Sequence, residues 1–257
     1  MVLRCIPVST NPETTEPISH AFDREAVGYS ARWDSRPAVR VFRARVLAAV
    51  VRAVQPPARV LDLGCGVGTD ARLLTALGYD VRGIDVSAEM VARARERGVN
   101  ADVGSVQELG EHGSFEVVLS NFGVLNCVPT DGAARAVRRV LAPGGAFVCV
   151  TISRHCPAEQ LALVGRGRWP FRRGRTTAVR GVPVRLVYPS PQDWLRALGS
   201  GFHRERVEGL GVFVAPPDLG GRPGVGTAIE ARLATCPGLR TLGDHTLIVF
   251  RRTTGLR

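Results

Sequence analysis

Eleven residues, Arg59-Val-Leu-Asp-Leu-Gly-Cys-Gly-Val-Gly-Thr69, constrain the fold more than any other stretch of this chain. Val60, Leu61 and Leu63 read as a buried strand, and Gly64, Gly66 and Gly68 follow as a loop that opens a helix. Glycines at that spacing remove the side chains that would keep a ligand off the backbone. Twenty-three residues after Asp62, at the end of the next apolar run, stands Asp85. A carboxylate there can accept both hydrogen bonds from a ribose diol.

The same alternation continues downstream. Strands are predicted at Arg59–Leu63, Asp80–Asp85, Asn100–Gly104, Phe115–Ser120 and Ala146–Ser153, with helices near Thr69–Leu77, Ser87–Arg97 and Asp131–Leu141. Ser87 is placed to cap one helix and Gly98 to end it. Pro143-Gly144-Gly145 reads as a tight turn into the Ala146 strand. Strand–helix alternation predicts an α/β fold, a parallel sheet with helices on both faces. Upstream, residues 1–20 read as a flexible arm, and apolar positions from Ala21 to Ala53 recur at helical spacing until Pro56-Pro57. Beyond Ser153 the pattern loosens, with a short helix at Pro189–Gly199, a strand within Phe202–Val214 and a final strand at Thr246–Arg251. Nothing marks an interdomain linker. One domain over residues 1–257 is expected, with an N-terminal arm and helix over 1–53 and lid insertions at 154–189 and 210–244.

Composition narrows the class. No run approaches the ~20 apolar residues of a membrane helix, and the first 30 residues lack the apolar core of a signal peptide. A cytoplasmic protein is expected. Six scattered cysteines form no CxxC pair, which argues against a structural zinc site. The net charge of +11 comes entirely from arginine, since the chain has no lysine. That bias points to genome composition before it points to a ligand, and it excludes a catalytic lysine.

Two nucleotide-type ligands suit the glycine loop. A dinucleotide wants a third glycine where Thr69 stands, and its pyrophosphate would lie close to the Asp62 carboxylate. S-adenosylmethionine (SAM) carries an α-ammonium and a sulfonium, so Asp62 becomes an asset. A purely structural glycine turn remains the third reading.

Residues ~55–155 resemble the core of the class I SAM-dependent methyltransferases, especially small-molecule enzymes similar to those of quinone and natural-product biosynthesis. The matching pieces are Val60-Leu-Asp-Leu-Gly-Cys-Gly-Val-Gly68, Gly83-Ile-Asp-Val-Ser-Ala-Glu-Met90, Phe115-Glu-Val-Val-Leu-Ser-Asn121 and Val140-Leu-Ala-Pro-Gly-Gly-Ala146, in that order. The resemblance implies a Rossmann-like seven-stranded sheet whose last strand is antiparallel. It also implies cofactor contacts at Tyr29, Asp62, Gly64, Cys65, Gly66, Asp85, Val86, Met90, Ser105, Val106 and Asn121. Asp62, Gly64 and Asn121 would serve the methionine end, Asp85 the ribose, and Val86 and Met90 the adenine. Many relatives place an aspartate after the third strand; Gly104-Ser105-Val106 stands there in this chain. Ala21–Tyr29 is similar to an arm that closes over SAM.

The acceptor is expected beyond the carboxyl ends of the strands. His155 and His245 fall on that side and are the candidate general bases, with His20 and Tyr188 within reach on mobile segments. Seven arginines between Arg166 and Arg185 could grip an anionic group of a small substrate. They could instead bind RNA, although little aromatic interleaving and no RNA-binding module accompany them. The expected partner is a small molecule and not nucleic acid, and the expected activity is methyl transfer. A SAM-binding protein that transfers no methyl group is the alternative of a different class.

Overall fold

The computed structural model describes residues 18–109, 114–167, 176–219 and 221–254. Expectations for residues 1–17 and for the arginine-rich 168–175, including Trp169 and Phe171, lie outside the described residues. The chain opens with α1 (Ile18–Ala26), α2 (Tyr29–Arg32) and α3 (Pro37–Ala53). The single helical run expected over Ala21–Ala53 is thus three helices. Gly28, at φ 69°, separates the first two, and Pro37 opens the third, where a missing N–H leaves no bond unmade.

Next come β1 (Arg59–Leu63), α4 (Thr69–Ala76), β2 (Asp80–Asp85), α5 (Ala88–Glu96), β3 (Asn100–Val103), β4 (Phe115–Ser120), α6 (Thr130–Val140) and β5 (Leu141–Ile152). The remainder holds α7 (Pro157–Val164), a hairpin of β6 (Thr176–Val179) and β7 (Val182–Arg185), α8 (Pro191–Leu198), β8 (Phe202–Leu210), α9 (Val225–Leu233) and β9 (His245–Arg252). Ser87 accepts a hydrogen bond from the Met90 N–H and so caps α5. Ser190 and Asp193 close a capping box on α8.

The main sheet has the order β3-β2-β1-β4-β5-β9-β8. Only β9 is antiparallel to its neighbours, β5 and β8. Two starting positions differ from expectation for a physical reason. β5 starts at Leu141 because Ala142–Gly145 form a bulge: Phe115 pairs with Leu141, but Val117 pairs with Ala146. β9 starts at His245, so this histidine sits in the sheet and not ahead of it.

Side chains of β1 alternate between two cores. Leu61 and Leu63 join Phe147, Trp194 and Phe250 on the α6–α8 side. Val60 joins Phe42, Val46 and Val50 of α3 on the other. Burying each of these large side chains contributes roughly 1.5–3 kcal/mol before the entropy of ordering the chain is counted. The period of two has a consequence for function: Asp62 shares the face of Val60 and looks toward α3. The strand order reverses between β1 and β4, and a crevice at the carboxyl ends of such strands is where ligands bind.

Candidate functional site

The loop after β1 is tied to the end of β2 by its backbone. Gly64 and Cys65 both donate to the Ile84 carbonyl, at 2.7 and 3.1 Å. Gly66 donates to Asp85 Oδ2 at 2.8 Å, and Ser87 donates its N–H to Oδ1 at 2.9 Å. The Asp85 carboxylate is therefore oriented from both oxygens while each keeps a lone pair for a ligand. Burial raises its pKa, against the opposing pull of the Ser87 and Gly66 N–H groups. Gly64 lies at φ 73°, and a Cβ there would meet the Val124 side chain at 2.4 Å. Gly66 differs, since a Cβ would find only Met90 Sδ at 4.0 Å and would stand in the pocket itself.

Behind this loop Asp62 is buried, 2 % exposed, and its Oδ2 has no hydrogen-bond partner. Burial, then Asp70 and Asp85, push its carboxyl well above the usual range. A buried acceptor left open beside a pocket fits a ligand that brings a donor or a cation.

The third wall comes from α3. Arg43 is buried, with Nε 2.6 Å from Asp70 Oδ1 and a terminal nitrogen 3.0 Å from Asp34 Oδ1. Asn121, at the tip of β4, donates to Asp70 Oδ2 at 3.0 Å and accepts the Phe122 N–H at 2.8 Å. Thr69 donates to Asp34 Oδ2 at 2.8 Å. Phe122 follows Asn121 at φ 52°, a conformation a bulky side chain adopts only under constraint. Its ring faces the Arg43 guanidinium at 5.0 Å and stands edge-on to His245 at 6.0 Å.

The fourth wall is α1. Asp23 Oδ1 accepts from Ser87 Oγ at 2.6 Å and from the Glu89 N–H at 3.2 Å, docking the helix onto the start of α5. Ala26 packs on Val67 and Met90, with Phe22 and Tyr29 against them. Phe22 lines both compartments of the pocket. Burial, followed by Asp34, raises the Tyr29 phenol far above its ordinary pKa, so it is a neutral donor here.

Ten of the eleven expected cofactor residues line this pocket. Tyr29, Gly64, Cys65, Gly66, Asp85, Met90 and Asn121 form one compartment, and Val86, Ser105 and Val106, with Asp85 again, the other. Asp62 lies behind the lining. Ser105 Oγ accepts from the Gln107 N–H at 3.2 Å, which caps a short turn and leaves its proton free to donate. Gln107 lines the same compartment and was not foreseen. The candidate bases are not together. His155 is exposed on the short link between β5 and α7. His245 is 9 % exposed beside Asp244, Nδ1 to Oδ2 at 3.1 Å, between the rings of Phe42 and Phe122.

Arg43, Asp34 and Asp70 also escaped the sequence reading. Their signal is visible afterwards, because Arg43 interrupts the apolar stripe Val39, Val46 and Val50 on α3. A charge in such a stripe needs a partner, and Asp70 supplies it.

Comparison with known proteins gives this arrangement its family. A profile described as "Methyltransferase domain" matches residues 60–145. The ubiquinone biosynthesis O-methyltransferase of Xanthomonas campestris pv. campestris (strain B100) is 34% identical over 173 residues, 62% of this chain and 72% of that one. This chain belongs to the class I SAM-dependent methyltransferases. A ubiquinone/menaquinone biosynthesis C-methyltransferase of Rubrivivax gelatinosus is 38% identical over 109 residues, 40% of this chain and 43% of that one. The fold matches that of Burkholderia thailandensis 1,6-didemethyltoxoflavin-N1-methyltransferase, TM-score 0.59 at 18% identity, over 96% of this chain and 94% of the other.

SAM is thus the cofactor of this methyltransferase, which acts on small molecules. The residues fit it: Asp62 offers an open acceptor, Gly66 leaves room, and Asp85 has two free lone pairs. Among the described residues no helix is long and apolar enough to cross a membrane, and no group of acidic, histidine or cysteine side chains could hold a metal ion.

Proposed function

We propose that this methyltransferase acts on a hydroxyl group of a small molecule in cofactor or natural-product biosynthesis. The observation that carries the proposal is the Asp244–His245 pair at the start of β9. The Asp244 carboxylate lies 3.1 Å from Nδ1 without a hydrogen bond to it, and its charge favours a proton on that nitrogen, which leaves Nε2 to accept one. Such a base is useful for an alcohol or phenol and superfluous for a nucleophilic carbon. The relative's name, an O-methyltransferase, supports the same reading.

When bound, SAM supplies an electrophilic methyl group, and this chain's residues position it. Asp85 would take the ribose hydroxyls, with Val86 against the base, Ser105, Val106 and Gln107 at its polar edge, and Met90 in the other compartment beside Gly66. Asp62 and Asn121 would hold the ammonium end. Arg43 would take the carboxylate, since it is the cation lining the pocket. Tyr29 and Phe22 would exclude water from above. In-line displacement needs little beyond this alignment, so positioning supplies most of the rate. His245 would take the acceptor's proton past the edge of Phe122, with His155 at the rim of the acceptor side.

Segments 154–189 and 210–244 are proposed as lids over that side. Among the described arginines of the first, Arg180 is engaged by Glu25, which gives an RNA platform no support. Cys65, Cys127, Cys149 and Cys236 are free thiols, which fits a reducing compartment, and we place the reaction in the cytoplasm. The test is to incubate the protein with SAM and parallel sets of phenols, alcohols, amines and activated carbon acids. Formation of S-adenosylhomocysteine with an O-methyl product supports the proposal. Turnover confined to amines or carbon acids would overturn it, and SAM binding without turnover on any acceptor would favour the non-transferring alternative.

A further inference from the structure

The β6–β7 hairpin contains a local contradiction. Its two-residue turn is Arg180-Gly181, at φ 49° and 86°. Turns of this kind need left-handed backbone at both positions, which asparagine or glycine adopts at little cost and arginine does not. A strained residue held in place by its surroundings is a reason to ask what its side chain does.

The Arg180 guanidinium reaches Glu25 on α1, 155 residues away in sequence. Glu25 is buried, 7 % exposed, and also accepts from Trp33 Nε1 at 2.9 Å and from Arg32. Burial alone would raise its pKa, but the hydrogen bonds from Trp33, Arg180 and Arg32 outweigh that and hold it low. Around this ion pair, Val179, Val182, Val184 and Leu186 pack on Ala21 and Ile18 of the same helix. Ile18 and Phe22 are also the α1 side chains that wall the cofactor pocket. The hairpin therefore grips the same helix that covers the cofactor, and Ile18 touches both.

We propose that Arg180 and Glu25 are positioning residues, a latch between the inserted hairpin and the N-terminal arm that holds α1 closed over SAM. Phe22 lines both compartments, so a movement of α1 would open both to cofactor exchange. The hairpin belongs to the insertion between β5 and α8, on the acceptor side, so the same latch joins the cofactor cover to the acceptor cover. Loading of SAM then precedes closure of the acceptor side.

The inference rests on the SAM pocket described above, and its test separates the two. Dissociation rates of SAM and S-adenosylhomocysteine are measured by stopped flow for the wild type, Arg180→Asn, Arg180→Lys and Glu25→Gln, with melting temperatures alongside. Asparagine suits the left-handed turn, so Arg180→Asn removes the latch without straining the hairpin. The expected result is dissociation of both ligands about tenfold faster, the worth of one partly buried charged hydrogen bond. The melting temperature of the unliganded protein should be unchanged or raised. Lysine should restore part of the slow release. In the Glu25→Gln background, Arg180→Asn should add no further acceleration. Release within about twofold of wild type in Arg180→Asn, or independent multiplication of the two effects, would overturn the latch. Failure of the wild type to bind SAM would instead overturn the pocket assignment.

Discussion

Arg43 Nε donates to Asp70 Oδ1 at 2.6 Å, joining the middle of α3 to the first turn of the helix that follows the glycine loop. Both side chains are about nine-tenths buried, 8% and 10% exposed. Breaking such a pair leaves an uncompensated charge, which costs far more than losing the pair's own attraction.

Arg43→Ala is accordingly expected to lower the free energy of unfolding by ~3 kcal/mol, read from urea denaturation. It should also weaken SAM binding more than binding of 5′-methylthioadenosine, which lacks the amino-acid carboxylate. Equal losses for the two ligands would remove Arg43 from the methionine end. Arg43→Lys keeps the charge but not the two-pronged geometry, and should fall between wild type and alanine.

Asp62 sets a stability–function conflict. Its folded pKa lies above the ordinary carboxylate value, so the unfolded chain ionises first as pH rises. Stability of the unliganded protein should therefore decline from mildly acidic pH toward neutrality, with Asp85 contributing in the same sense. Asp62→Asn should raise the melting temperature at pH 7, flatten that decline and weaken SAM binding. For the wild type, SAM affinity should increase with pH, and calorimetry in buffers of different ionisation enthalpy should register proton release on binding. A variant with a lower melting temperature and unchanged affinity would contradict this account of Asp62.

The two candidate bases separate kinetically. With an acceptor in hand, His245→Ala should reduce turnover by ~10²-fold or more and leave SAM affinity intact. His155→Ala should change the Michaelis constant for the acceptor more than turnover, as expected of an exposed side chain at the rim of the acceptor side. The reverse pattern would move the role of base to His155.

Much of this site can be read along the chain because its parts are local. The glycine loop, Asp62 and Asp85 lie at the ends of adjacent strands, and glycine spacing records directly where backbone must approach a ligand. What escaped is built from long-range pairs. Arg43 meets Asp70 across 27 positions and Glu25 meets Arg180 across 155. No local periodicity encodes such contacts. The partial exception is Arg43, whose place in an apolar stripe marks a buried charge without naming its partner. The bulge at Ala142–Gly145 was hidden for a related reason, since a Pro-Gly-Gly run signals a turn whether or not a neighbouring strand pairs across it.

Titration of SAM into the wild type and Asp85→Ala by isothermal calorimetry tests the central claim most directly, because Asp85 is the residue proposed to hold the cofactor's ribose. The wild type should bind one equivalent. The variant should bind ~10- to 100-fold more weakly, the loss of ~1.5–3 kcal/mol expected when a charged acceptor is removed. Equal affinity in the two proteins, or no binding to the wild type, would contradict the account.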